Sequence, residues 1–491
     1  MARNNSPEAL KKLQGDLDAA RKALQNSEDT LRYIEQEYNT LLQSRSWRIT
    51  KPIRHTRAVM KAQIRVKDKI TATLQSVGML PIGYRTSSIS TLNFRNLKVL
   101  NNEVAAYQQG GNPDLNVIIE KLIDEADEAL GRGLYTVVDK ASAPADGDKH
   151  NYWSLAPYWW PDPSSPDGMP YIRKDGQWYP EAKLYGPNSG KYDRTRLREM
   201  FVDSTILTLA WKFTGNKKYA SHAADILRHF FINSATKMNP NLKYAQVKLG
   251  HMNNLGGAPG IIEGEDFYYY LDTVKILVGS GAITNRDLYA FKKWLSEYLQ
   301  WLLESDQGVT ECAATNNHGI VYDLQVASIA EFLRDKSLLN AAINRAESRI
   351  DKHFKADGSQ PEELARTNTL HYCLYNYQIW IHMATIAKKM GNNFWTRTED
   401  YRLRTAGRWL LSFHGKKWPH MQINNIDDAT RFACIRWTIP ESITSRYSKK
   451  FKKSIYENEP VSDRYTRIDP NANNGVQPFW NIGAISIHDD A

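Results

Sequence analysis

Cysteine is scarce: Cys312, Cys373 and Cys434 are the only three in 491 residues. An odd, dispersed set without a CxxC pair provides neither a disulfide framework nor a cysteine-ligated zinc site. Long apolar runs are also missing, and no segment offers the ~20 consecutive apolar residues that a membrane-spanning helix needs. The first twenty residues, MARNNSPEALKKLQGDLDAA, contain no apolar h-region. No secretory signal is readable there, so the expectation is a cytoplasmic protein, with peripheral membrane attachment as the variant. Compositional bias is absent as well: 42% hydrophobic and 24% charged residues are ordinary for a globular chain and exclude disorder and collagen-like repeats. What is present in excess is positive charge. Sixty-four Lys+Arg against fifty-four Asp+Glu leave a net +10, a balance that points to a polyanionic partner.

The location of that charge divides the chain. Residues 1–44 carry apolar positions at alternating spacings of three and four, from Leu10, Leu13 and Leu17 to Ile34, Tyr38 and Leu41, which is the seam of a coiled coil and predicts a homo-oligomer. A basic neck follows over 45–85. Its 45–69 stretch holds nine Lys/Arg against one Asp, and suits an anionic membrane surface or an anionic partner. The remainder, from residue 70 onward, is only +3. Nucleic acid is the least fitting polyanion, because no recognised motif is present and the basic run has a single tryptophan, Trp47, for stacking. The coiled coil followed by SRSWRITKPIR resembles a segment found beside bacterial surface-polysaccharide glycosyltransferases.

Residues 86–491 read as one mainly α domain. TILTLAWKFTGNKKYASHAADILRHFF is a helix, a Gly-Asn turn and a second helix. The same theme returns in DLQVASIAEFLRDKSLLNAAINRAESRIDKHF and in YQIWIHMATIAKKMGNNFWTRTEDYRLRTAGRWLLSF, with DLYAFKKWLSEYLQWLLES between them. Successive helical pairs that each bury an apolar face against the next build an α/α toroid, an incomplete α/α barrel.

Four segments carry residues suited to chemistry. In NYWSLAPYWWPDP the aromatic side chains Trp153, Tyr158, Trp159 and Trp160 lie between prolines, in backbone expected to be irregular, and aromatic faces are platforms for sugar rings. MNPNLKYAQVKLGHMNNLGGAPGIIEGEDF reads as a long loop entering a helix. Its Glu263, Glu265 and Asp266 are explained by the helix N-terminus they precede. ECAATNNHG puts Asn317 and His318 at a helix start. DGSQPEELARTNTLHY gathers Arg366, His371 and Tyr372 in one turn-to-helix segment. An Asn, a His, an Arg and a Tyr without a matching pair of acids suit β-elimination on a uronic acid. Asn317 and Arg366 would neutralise the carboxylate that acidifies the C5 proton, a base would remove that proton, and an acid would protonate the departing O4.

In order, the blocks SLAPYWWPDP, MNPNLKYAQ with its Gly-rich continuation, TNNHG, and DGSQPEELARTNTLHY resemble the alginate lyase superfamily of polysaccharide lyases over about residues 115–430. The six-residue interval from Arg366 to Tyr372 favours polysaccharide lyase family 38 over family 5. The resemblance implies an α/α toroid with an open groove and an elimination needing neither metal nor cofactor. It makes Asn317 the carboxylate neutraliser, His318 a second neutraliser or the base, Arg366 the groove arginine and Tyr372 the catalytic tyrosine. Tyr158, Trp159, Trp160, Tyr244, Gln246, His251 and His371 are the expected substrate-binding set.

Stereochemistry leaves two routes. On β-linked D-mannuronate or D-glucuronate the C5 hydrogen and O4 share a face, and Tyr372 alone would serve as base and acid, its pKa lowered by Arg366 and His318. On α-L-guluronate two groups are needed, His318 as base and Tyr372 as acid. The substrate expected is a β-linked acidic polysaccharide such as glucuronan or polymannuronate. A non-catalytic polysaccharide-binding scaffold is the alternative from another class. A glycoside hydrolase would have to pair Glu263 or Glu265 with Glu362 or Glu363.

Overall fold

A computed structural model describes residues 92–423, apart from 111–112, 187, 397–400 and 414–415, together with 467–468, 476–477, 479 and 482. All belong to the second of two units into which the chain divides, 90–491. The expected coiled coil and basic neck lie outside the described residues.

Among the described residues, ten principal helices run in chain order: α1 (Leu97–Gln108), α2 (Pro113–Arg132), α3 (Arg194–Thr214), α4 (Lys217–Leu227), α5 (Phe267–Val278), α6 (Asn285–Glu304), α7 (Asn317–Leu333), α8 (Lys336–Glu347), α9 (Thr369–Lys389) and α10 (Arg402–Leu411). They form an α/α toroid. Helices α3, α5, α7 and α9 are buried on nearly every side and pack on one another in sequence. Their partners α4, α6 and α8 bury one stripe each and cover the inner layer. The burial explains the sequence pattern, because an inner helix has no face on which polar residues are favoured. In α7, Ile320, Val321, Leu324 and Ile329 are at most 1% exposed, each contributing about 1.5–3 kcal/mol through removal from water.

Turn chemistry sets where the pairs reverse. Gly215 ends α3, and the Asn216 side chain caps α4 by accepting from the Lys218 N–H at 3.1 Å. Asp335 does the same for α8, accepting from the Leu338 N–H at 3.1 Å. No described helix is long and apolar enough to cross a membrane.

The segment expected to be irregular contains short strands. β1 (Trp153–Leu155) pairs in parallel with β4 (Tyr244–Val247), and β2 (Trp159–Trp160) pairs antiparallel with β3 (Ile172–Arg173). The parallel pair joins segments about ninety residues apart, a partnership that no local periodicity reveals. Its register runs from Trp153↔Tyr244 to Leu155↔Val247, so β4 carries one extra residue. Gln246 sits in this bulge with a φ of 52°, unusual for a non-glycine residue and a means of re-aiming a side chain.

Candidate active site

The inner helix ends and the β-turn segments enclose a cleft of about 570 Å³. Asn317, His318, Arg366 and Tyr372 all line it, together with Tyr158 and Trp159. Gln246 lines it too, aimed there by the bulge and held by its N–H donating to Ser154 Oγ at 2.8 Å.

Each of the four central residues is placed by a distinct local device. In NNHG the two asparagines divide the work. Asn316 caps α7 by accepting from the His318 N–H at 3.2 Å, while Asn317 enters the helix and is completely buried. Asn317 donates through its backbone N–H and Nδ2 to the two oxygens of Glu363, at 2.8 and 2.7 Å. Burial pushes the Glu363 carboxyl up to about 7 against the opposing Asn317 bonds. Gly319 is required by packing, since a Cβ there would fall 2.2 Å from the Ala314 carbonyl oxygen.

His318 pairs through Nδ1 with Glu311 Oε1 at 2.6 Å, which leaves Nε2 as the ring nitrogen directed to chemistry. Burial opposes the charged imidazole, but Glu311 above all, aided by Glu363, outweighs burial and raises the pKa. A charged His318 therefore suits carboxylate neutralisation better than proton abstraction.

Tyr372, in the first turn of α9, accepts from Arg366 Nη2 at 2.8 Å and shares a 2.8 Å hydrogen bond with Tyr158 Oη. The Arg366 guanidinium carbon lies 3.8 Å from the Tyr372 ring centroid. The expected lowering of the Tyr372 pKa is corrected here. Burial dominates and the neighbouring Tyr158 adds to it, so the phenol is pushed well above its ordinary value despite Arg366. Tyr158 is pushed up as well, by burial.

Arg366 itself is restrained by a group that sequence reasoning missed. Asp175 accepts from its Nη2 at 2.9 Å and from its Nε at 3.4 Å, and from Arg173 at 2.9 Å. Partial burial resists ionisation of Asp175, but the two guanidiniums hold its carboxyl below the usual range. The turn that delivers it is tight. Gly176 has a φ of +73°, and a Cβ there would lie 2.3 Å from Thr367 Oγ1.

Four expected binding residues stand behind the cleft wall. Trp160 donates to the Gln177 carbonyl at 2.9 Å and packs on Tyr179. Tyr244 is 2% exposed in β4. His251 bonds the Tyr171 carbonyl at 2.7 Å and braces Trp159 edge-on, with centroids 5.0 Å apart. His371 packs edge-on to Tyr372 at 5.0 Å. Tyr372, rather than His371, faces the cleft. Trp178, which continues the aromatic stretch read from the sequence, also lines it, as do Arg194, Lys248 and Glu311, which were not anticipated.

The hydrolase pairing fails on geometry. Glu263 accepts from Tyr152 at 2.7 Å and Ser154 at 2.6 Å, Glu265 is bonded by Tyr375, Glu363 lies beneath Asn317, and Glu362 is outside the cleft lining. These acids brace the wall and form no opposed catalytic pair.

A helical toroid whose cleft joins an amide, an imidazole, a guanidinium and a phenol defines the class as that of the toroidal polysaccharide lyases. The family model for alginate lyase matches residues 136–418, and the chain belongs to that family. It is similar to the crystal structure of an alginate lyase from Bacteroides ovatus, with 31% identity and a TM-score of 0.69 over 76% of this chain and 97% of that one. It also aligns with alginate lyase A1-III from Sphingomonas species A1, at 12% identity and a TM-score of 0.43 over 74% of this chain and 94% of that one. No curated protein matches.

Proposed function

We propose that the protein cleaves a β-linked polyuronate, such as polymannuronate or glucuronan, by syn β-elimination. The observation that carries this reading is the Tyr372 hydroxyl, bonded at 2.8 Å by both Arg366 and Tyr158 and lining one cleft with Asn317 and His318. Charged His318, the remaining Nδ2 hydrogen of Asn317 and Arg366 neutralise the substrate carboxylate, which stabilises the carbanion developing at C5. Tyr372 takes the C5 proton in its phenolate form, which the raised pKa makes the minor species, so turnover is expected to rise with pH as that form fills. The C4–O4 bond then breaks as the C4–C5 double bond forms, and the same phenol returns the proton to O4. Arg366 supports the phenolate through its charge and hydrogen bond, and Tyr158 holds the same oxygen in position.

Incubation with defined uronans is expected to yield unsaturated uronate ends with near-ultraviolet absorbance. Tyr372→Phe is expected to reduce turnover by at least about a hundredfold, on the scale of a lost acid–base group. Retention of turnover in that variant would overturn the mechanism. Binding of uronans by the unaltered protein without cleavage, across the panel, would favour the scaffold function instead.

A further inference from the structure

Lys248 is a cation that the elimination does not use. Its Nζ lies 4.8 Å from the Trp159 ring centroid. On its other side it meets Gly257, where an added Cβ would be 3.9 Å away. Among the described residues no carboxylate pairs with it. Arg173, opposite Trp159 in the β2–β3 pair, adds a second positive charge nearby. Burial first, and Arg173 second, hold the Lys248 pKa below its ordinary value, so an arriving anion would relieve both costs. Arg173 and Arg366 both bond Oδ1 of Asp175 at 2.9 Å, and one carboxylate thus serves two guanidiniums. This wall carries an excess of positive charge and joins the Tyr372 centre through Asp175. Elsewhere in the cleft the cations have acids of their own: Arg194 lies 3.5 Å from Glu263, and Arg198 lies 3.1 Å from Asp266.

We infer that Trp159 and Lys248 form a subsite for a second uronate of the same polymer, the indole under the sugar's C–H face and the ammonium on its carboxylate. The enzyme then selects runs of consecutive uronates over chains in which uronate alternates with neutral sugar. This inference rests on the polyuronate reading and specifies it further.

The test compares Lys248→Gln and Lys248→Arg with the unaltered full chain on a homopolymeric uronan, and on the same polymer after partial reduction of its carboxylates to neutral alcohols. Loss of a charged hydrogen bond predicts a KM about tenfold higher or more for Lys248→Gln, with the loss in kcat/KM carried by KM. Lys248→Arg is expected to restore KM. The unaltered chain is expected to bind the reduced polymer more weakly, and Lys248→Gln to lose less on reduction, since only the carboxylate held at the Tyr372 centre remains for it to lose. A KM for Lys248→Gln equal to that of the unaltered chain would overturn the subsite. Equilibrium binding in a Tyr372→Phe background, with and without Lys248→Gln, separates the two claims. Turnover surviving Tyr372→Phe defeats the mechanism, whereas identical affinities in the two backgrounds defeat the subsite alone.

Discussion

Glu311→Gln is the substitution that decides what His318 does. The glutamine keeps the size of the side chain and an oxygen that can accept from Nδ1, and it removes only the charge. In the unaltered protein Glu311 sits 2.6 Å from Nδ1, with its side chain 3% exposed, and it is the main influence raising the His318 pKa against burial. Without that charge, burial and Arg366 are expected to bring the pKa below the ordinary value of about 6.5. If charged His318 neutralises the substrate carboxylate, the variant matches the unaltered enzyme at acid pH, where both imidazoles are protonated. It then falls behind as pH rises past its own lowered pKa, about tenfold for each unit by which that pKa has dropped. If neutral His318 were the base, the sign reverses: the variant would be the more active at acid pH, because it loses its proton sooner. The assay is kcat/KM against pH at constant ionic strength, with the His318 ring titrated by NMR and thermal unfolding measured to exclude a folding loss. Higher relative activity of the variant at acid pH would refute the neutraliser role and restore the anti route.

Two further outcomes follow from the geometry. Tyr158→Phe removes one neutral hydrogen bond from the Tyr372 oxygen, so kcat is expected to drop about two- to tenfold; steady-state kinetics showing a loss as large as that of Tyr372→Phe would give the catalytic phenol to Tyr158. Lys140 and Asp193 form a fully buried ion pair at 2.9 Å, and Asp193 also accepts from the Trp153 N–H that begins β1. Lys140→Met strands that carboxylate and is expected to cost about 3–5 kcal/mol in denaturant unfolding near neutral pH, with much of it recovered in Lys140→Met/Asp193→Asn. Burial raises Asp193 to about 6 even with Lys140 beside it, and loss of Lys140 moves it higher still, so the penalty shrinks as pH falls towards 6 and the variant's carboxyl takes up a proton. A penalty independent of pH would refute this account.

The helical layers were legible because inner and outer helices leave different traces in sequence: apolar residues spread over every face in α5 and α7, a single stripe in α6. That the central four residues share one cleft was legible only from the blocks together, since NNHG alone is a weak signal that gains force from the turn-to-helix segment holding Arg366 and Tyr372. What stayed hidden depends on contacts between distant segments. Asp175 reaches Arg366 across 191 positions, and its turn is shaped by Gly176 packing on Thr367. The direction of the Tyr372 shift was hidden for another reason. Sequence shows that an arginine is near, whereas desolvation depends on how completely the surrounding helices close over the phenol. Burial at α9 is nearly complete, with Tyr372 7% exposed, and it outweighs the guanidinium.

The excess of positive charge does not explain how the toroid holds a polyanion. Residues 70–491 are close to neutral at +3, and most of the +10 belongs to the neck. Affinity for a charged polymer depends instead on which cations of the cleft already have partners. Arg194 and Arg198 face Glu263 and Asp266, and a substrate carboxylate approaching them must compete with acids held in place by the fold. Among the described residues Lys248 meets an aromatic face and no carboxylate, and Arg173 shares Asp175 with Arg366. A carboxylate arriving there completes pairings instead of replacing them. The same sharing bears on the proposed mechanism: Asp175 fixes Arg366 against Tyr372 but takes up part of its charge, and in that mechanism charged His318 becomes the more important neutraliser at C5. Glu311 is the main influence raising the His318 pKa, and in the proposed mechanism a buried acid thus contributes to binding an anion by favouring the protonated form of its neighbour.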